Sequence, residues 1–224
     1  RMAKIVKKTG PEIGIALDGD GDRLIVSDEK GNIVDGDHIM AICARDLMTK
    51  KKLKRNTLVA TVMSNMGLEV AMKKMKGKLV RTQVGDRYVV EEMRKNKYSF
   101  GGEQSGHLIF LDHNTTGDGT LAALQLLSIM IKRKKPLSEL STIMDSFPQV
   151  LKNVRTSKRL DLDLIPNFHE TVKMMEEKLG SDGRILVRLS GTEPVIRVMA
   201  EGKYFDTIDT MADELCRMIE KADG

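Results

Sequence analysis

The chain has 224 residues, 41% of them hydrophobic and 31% charged, a balance that excludes a wholly disordered polypeptide and allows one large domain or two modest ones. Only 4% of residues are aromatic and there is no Trp, so the core must come from Leu, Ile, Val and the 15 Met. The net charge of +5 comes from 37 basic and 32 acidic residues. It is scattered over lysine-rich runs (50–55, 73–76, 132–135) that fall where helices should end, where cations favour the helix dipole. No RNP-type aromatic motif, zinc finger or heptad repeat accompanies these runs, so a nucleic-acid partner is not expected. The longest apolar stretch, residues 120–131, is shorter than the ~20 residues that cross a bilayer, and no membrane partner is expected. No secretion signal is visible, and Cys43 and Cys216 lie far apart without a CxxC pattern, which suits reduced thiols in the cytoplasm.

In chain order, residues 1–10 are polar and carry no predicted element. Short strands follow at 13–17 and 24–27, with turn chemistry at 29–32 before Ile33-Val34. These pieces read as a sheet fragment without helices of its own, so the chain is expected to begin inside a domain. From Asp35 the pattern becomes a strand–helix alternation: a helix capped near Asp37 to 49, a strand at 58–62, a helix at 66–75, a strand at 78–82 and a helix at 86–95. Strands at 98–100 and 107–111, an apolar helix at 118–133 and a helix at 137–147 complete it. The alternation predicts an α/β domain of βαβ units around a mainly parallel sheet. The tail reads strand (150–155), helix (168–179), strands (184–189 and 195–201) and helix (207–221), a small α+β domain with helices on one sheet face.

Three segments carry chemistry. The first is Asp18-Gly19-Asp20-Gly21-Asp22-Arg23. Two unit charges ~4 Å apart repel by ~4 kcal/mol at an effective dielectric of ~20, so Asp18, Asp20 and Asp22 need a counter-charge. Hard oxygen ligands on a glycine-rich turn suit Mg2+ ahead of Ca2+. An EF-hand is the rival: the three Asp fill loop positions one, three and five, Ile25 the hydrophobic position and Glu29 position twelve. Arg23 stands where that loop needs Gly, and the flanks are strand-like. An acidic surface turn is the plain alternative.

The second segment is Gly101-Gly102-Glu103-Gln104-Ser105-Gly106-His107, a loop able to present hydrogen-bonding groups to a polyol, with an imidazole able to move a proton near neutral pH. A solvent-exposed connection fits the residues equally well. The third is Arg188-Leu189-Ser190-Gly191-Thr192-Glu193-Pro194-Val195-Ile196-Arg197, whose hydroxyls, turn amides and flanking guanidiniums suit a phosphate. It is not a Walker loop, and a structural hairpin with surface arginines is its alternative.

In this order the three segments, with Thr116-Gly117-Asp118-Gly119 and Val84-Gly85-Asp86-Arg87-Tyr88-Val89, resemble the α-D-phosphohexomutases, and within them the bacterial branch acting on glucosamine phosphate. The resemblance runs from about Ile13 to the C-terminus. It implies reversible conversion of glucosamine 6-phosphate to glucosamine 1-phosphate through a phosphoserine and a 1,6-bisphosphate, supplying UDP-N-acetylglucosamine for cell-wall synthesis. By resemblance, Asp18, Asp20 and Asp22 hold Mg2+ and Arg23 is an adjacent active-site arginine. Glu103 and Ser105 hold sugar hydroxyls, and His107 is a general acid/base. Arg188, Ser190, Gly191, Thr192 and Arg197 grip the phosphate that does not react. The segments expected are 1–34 as the tail of domain two, 35–147 as domain three and 148–224 as domain four. The family's Ser-His-Asn-Pro phosphoserine segment is absent, and the chain has no Ser-His pair. The expectation is therefore a C-terminal part, inactive alone, whose partners are a phosphosugar, the enzyme's own N-terminal domains and, in the intact enzyme, a second copy. Phosphomannomutase/phosphoglucomutase activity and a non-catalytic metal- or polyanion-binding module are the alternatives.

Overall fold

The computed structural model describes residues 1–157, 160–190 and 194–224. They form two compact units, Arg1–Ser146 and Phe147–Gly224.

The first unit opens with helix α1 (Met2–Thr9), closed by Gly10 in the left-handed conformation. The sequence reading gave this stretch no element. Its two terminal lysines, Lys7 and Lys8, make it look polar, but they favour the C-terminal end of the dipole, while Val6 is buried. Strands β1 (Ile13–Leu17), β2 (Leu24–Asp28) and β3 (Ile33–Val34) follow as an antiparallel sheet in the order β1-β2-β3, with α1 packed on β1 and β2. The sheet fragment therefore does have a helix of its own. Leu24, Val26 and Val34 join the same apolar core as the elements after residue 35.

Helix α2 (Gly36–Thr49) is capped by Asp35, whose carboxylate accepts from the His38 N–H, and not by the expected Asp37, which lies buried in the first turn and accepts from the Asn65 N–H instead. Then come β4 (Thr57–Thr61), α3 (Met66–Lys74), β5 (Lys78–Thr82), α4 (Asp86–Asn96), β6 (Phe100–Gly102) and β7 (Leu108–Phe110). The sheet order is β5-β4-β6-β7, with β5, β4 and β6 parallel and β7 antiparallel at the edge. Strand β4 is buried along its whole length, as expected for a β-branched strand covered on both faces. Leu58 and Ala60 pack into the core shared with α2, and Val59 packs with Val89 and Met93 of α4. Strand β6 begins two residues later than the sequence reading placed it and runs into the glycines. Helix α5 (Gly119–Arg133) is capped by Asp118. The helix expected over 137–147 is only α6 (Leu137–Leu140) and a 3-10 turn. There Ser141 Oγ donates to Ser138 O (3.1 Å) and Thr142 Oγ1 to Glu139 O (2.8 Å), the local competition that discourages helix.

The second unit contains β8 (Gln149–Arg155), α7 (Phe168–Leu179), β9 (Gly183–Leu189), β10 (Val195–Gly202) and α8 (Phe205–Asp223). Its antiparallel sheet has the order β8-β10-β9. Alternate residues Ile196, Val198 and Ala200 of the central strand face a core with Ile208, Ala212, Leu215 and Ile219 of α8 and Phe168 and Met175 of α7. The i, i+4, i+7 spacing along α8 gives it one apolar side. This is the small α+β arrangement expected.

Candidate functional site

In the first unit, three stretches meet beyond the carboxyl ends of the parallel strands, where open α/β sheets bind ligands. The glycine-rich 103–107 stretch follows β6, the 84–86 turn follows β5, and the carboxylate loop joins β1 to β2. Asp18, Asp20 and Asp22 each offer an oxygen, and these atoms lie within 4.8 Å of one another. The Arg23 N–H donates to Asp18 Oδ1 at 3.1 Å, and the Arg23 Nε lies 3.7 Å from Asp18 Oδ2 and 4.0 Å from Asp22 Oδ1. Desolvation opposes ionisation of Asp18, but the Arg23 N–H, the neighbouring Asp22 carboxyl and the Arg23 guanidinium together outweigh it and pull the Asp18 carboxyl down. Asp22 is pushed up by desolvation and by neighbouring Asp18. Its Oδ1 is buried without a hydrogen-bond partner. A hard dication relieves both the repulsion and that orphaned oxygen, so the residues fit Mg2+.

Glu29, the twelfth ligand an EF-hand needs, turns elsewhere: it accepts from the Ser138 N–H at 3.3 Å and from the Ser138 hydroxyl at the start of α6. The loop is flanked by β1 and β2 instead of helices. The EF-hand reading fails on both counts.

His107 sits between the carboxylate loop and the glycine-rich loop, its side chain 4% exposed. The Gly117 N–H donates to its Nε2 at 3.2 Å, which leaves the proton on Nδ1, 3.0 Å from Asp22 Oδ2. The Asp86 Oδ2 is 3.9 Å from Nε2. The two loops are joined through the backbone as well: Arg23 and His107 form an antiparallel bridge, and the Leu24 N–H donates to Gly106 O at 3.0 Å. Glu103 is half-buried, its Oε1 accepting from the Gly85 N–H at 3.0 Å, while Ser105 is exposed at the loop tip. Asp18, Asp20, Asp22, Arg23, Glu103, Ser105 and His107 thus share one region. Gly117 and Asp86 were assigned no role from sequence, although both lie in quoted motifs.

In the second unit, Arg197 on the central strand pairs in register with Asn153 of β8 and Arg188 of β9. All three are on the sheet face opposite the helices, since their neighbours Val154, Ile196 and Val187 pack under them. Arg188 is pulled down by desolvation and by the adjacent Arg197 charge. The Arg197 Nε is buried without a hydrogen-bond partner. Ser190 closes the strand by donating its N–H to Val195 O at 2.7 Å. Gly191 and Thr192, expected to grip phosphate, lie outside the described residues.

The family model of phosphoglucomutase/phosphomannomutase alpha/beta/alpha domain III matches residues 35–147, and that of the C-terminal domain matches residues 132–218. The phosphoglucosamine mutase of Desulfotalea psychrophila is 68% identical over 220 residues, 98% of this chain and 49% of that protein. That of Myxococcus xanthus is 56% identical over 221 residues, 99% of this chain and 48% of that protein. The chain spans about half the length of the curated relatives it matches. Among solved structures, the N-acetylphosphoglucosamine mutase of Aspergillus fumigatus in complex with GlcNAc-6P and magnesium has a TM-score of 0.77 at 21% identity, covering 94% of this chain and 49% of that one. A phosphoglucomutase/phosphomannomutase family protein of Burkholderia thailandensis has a TM-score of 0.74 at 22% identity, covering 99% and 49%. The chain belongs to the phosphoglucomutase/phosphomannomutase family.

Proposed function

We propose that this chain is the ligand-gripping C-terminal part of an enzyme that interconverts glucosamine 6-phosphate and glucosamine 1-phosphate. The observation that carries the reading is the meeting of the Asp18, Asp20 and Asp22 oxygens with the Glu103–His107 stretch in one unit, in a chain 68% identical to a phosphoglucosamine mutase. In this reading residues 1–34 are the tail of domain two, 35–147 domain three and 148–224 domain four. The enzyme works in the cytoplasm, and its other partners are its N-terminal domains and, in the intact enzyme, a second copy.

Phosphoryl transfer depends on positioning and charge neutralisation more than on covalent work by the protein. Asp18, Asp20 and Asp22 hold Mg2+, which when bound neutralises charge on the transferring phosphoryl group. Arg23 adds positive charge beside them. Glu103 and Ser105 hold sugar hydroxyls, and Gly85 fixes the Glu103 carboxylate by its N–H. Arg188, Ser190, Gly191, Thr192 and Arg197 grip the phosphate that stays on the sugar. His107 serves as the acid/base group for the reacting sugar hydroxyl.

The test is a coupled mutase assay on the protein encoded by the complete gene, offered glucosamine 6-phosphate, glucose 1-phosphate and mannose 1-phosphate in turn. Preference for the amino sugar supports the reading. Preference for glucose or mannose phosphate moves the enzyme to the other branch of its family.

A further inference from the structure

We propose that His107 is also the positioning residue of the carboxylate loop: its Nδ1–H holds Asp22 with one oxygen free for the cation, so that metal affinity is tied to the glycine-rich loop. The two Asp22 oxygens are in different states. Oδ2 takes the His107 bond at 3.0 Å, and Oδ1 is buried with no hydrogen-bond partner. A carboxylate held by one oxygen presents the other in a fixed direction, which is what a partner behind a metal ligand supplies.

The imidazole has little freedom to do otherwise. Its side chain is 4% exposed, and Nε2 is fixed by the Gly117 N–H at 3.2 Å. A Cβ on Gly117 would lie 2.3 Å from Nε2, so only glycine lets that backbone reach the ring. On the other side, a Cβ on Gly106 would lie 2.1 Å from Leu24 O, so the residue preceding His107 is pressed against the strand that carries Asp22's loop. Displacement of His107 is therefore displacement of Asp22. The consequence is reciprocal: a ligand that settles the 103–107 stretch strengthens metal binding, and metal strengthens binding of that ligand. Naming that ligand as a sugar phosphate rests on the proposed function; the tie between His107 and metal affinity does not.

The test is an NMR titration of the 224-residue chain with Mg2+, following the Gly19 and Gly21 amides in the wild type, His107→Leu and His107→Asn, with melting temperatures recorded for each. The Leu variant should lose about 10- to 100-fold in Mg2+ affinity, the range seen when such partners are removed. The Asn variant should recover most of it, because its side-chain N–H stands near the place of Nδ1–H although it cannot carry a proton as imidazole does. A folded Leu variant with wild-type Mg2+ affinity overturns the proposal. If the Leu variant does not fold, the wild-type ring decides. Nitrogen-15 shifts should show the proton on Nδ1, moving as Mg2+ is added; a proton on Nε2, or an Nδ1 unmoved at saturation, overturns it. Activity of the complete protein is a separate readout: an Asn variant that binds Mg2+ yet does not turn over supports the positioning role and assigns the loss to proton transfer. A wrong substrate leaves the metal titration unchanged.

Discussion

Arg188 and Arg197 stand opposite each other on neighbouring strands, and among the described residues neither has an ion-pair partner. Like charges directly opposite in an antiparallel pair are destabilising, so this pair weakens the fold it belongs to. Arg188→Met should therefore raise the melting temperature slightly in phosphate-free, low-salt buffer, and 0.5 M salt should shrink the gain. The same variant should weaken inorganic phosphate binding by about 1.5–3 kcal/mol, as loss of a well-formed charged hydrogen bond does. Calorimetry and thermal melts on one pair of samples check both. A variant less stable and equally good at binding phosphate identifies the arginines as ordinary surface residues.

Gly117→Ala should act on His107 without touching a carboxylate. The new Cβ would lie 2.3 Å from the imidazole Nε2, so the ring must move. Overpacking of this kind costs about 1–3 kcal/mol, read as a lower melting temperature. Mg2+ affinity should fall with it, because His107 holds Asp22.

Glu29→Gln separates the two readings of the carboxylate loop. Glu29 is bonded to Ser138, away from the Asp cluster, so its loss should leave Mg2+ affinity unchanged. Asp20→Ala should abolish it. The wild-type dissociation constant should be on the order of millimolar, since Mg2+ sheds its waters reluctantly and three carboxylates hold it loosely. Submicromolar Ca2+ binding lost in Glu29→Gln contradicts this assignment.

Much of this was legible in the sequence because its signals are local. Helices α3 and α5 begin within a residue of where the hydrophobic pattern places them, and glycines flank the loops that carry the polar groups. What escaped is what depends on distant partners. Helix α1 is polar on most of its surface, and only the sheet beneath Val6 shows why it forms. Helix α6 stops early because Ser141 and Thr142 bond backward, a choice invisible to hydrophobic periodicity. The Asp22–His107–Gly117 chain joins residues 85 and 10 positions apart, so the motifs named its members without showing their order.

Asp37 gives a pH dependence of defined sign. Burial drives its carboxyl up to about 7, against the bond it accepts from the Asn65 N–H at 2.8 Å. The folded chain then holds a proton that the unfolded chain has released between about pH 4 and pH 7, so this group lowers stability as pH rises through that window. The loss is complete above pH 7, with an upper bound of about 4 kcal/mol. Asp37→Asn cannot ionise and should flatten the slope, so its melting temperature should gain on the wild type between pH 5 and pH 8. A constant difference across that range contradicts burial as the cause.

In the proposed function this chain already carries the groups that grip a sugar phosphate. The direct measurement is an NMR titration of the 224-residue chain with glucosamine 6-phosphate in the presence of Mg2+, with the Arg188 and Arg197 Nε signals and the Glu103 and Ser105 amides followed together. These four should shift with saturation, and the arginine shifts should weaken as salt is added. Silence at these positions, with shifts confined to the lysine-rich helix ends near residues 50–55, 73–76 and 132–135, would contradict it and leave a diffuse polyanion surface in its place.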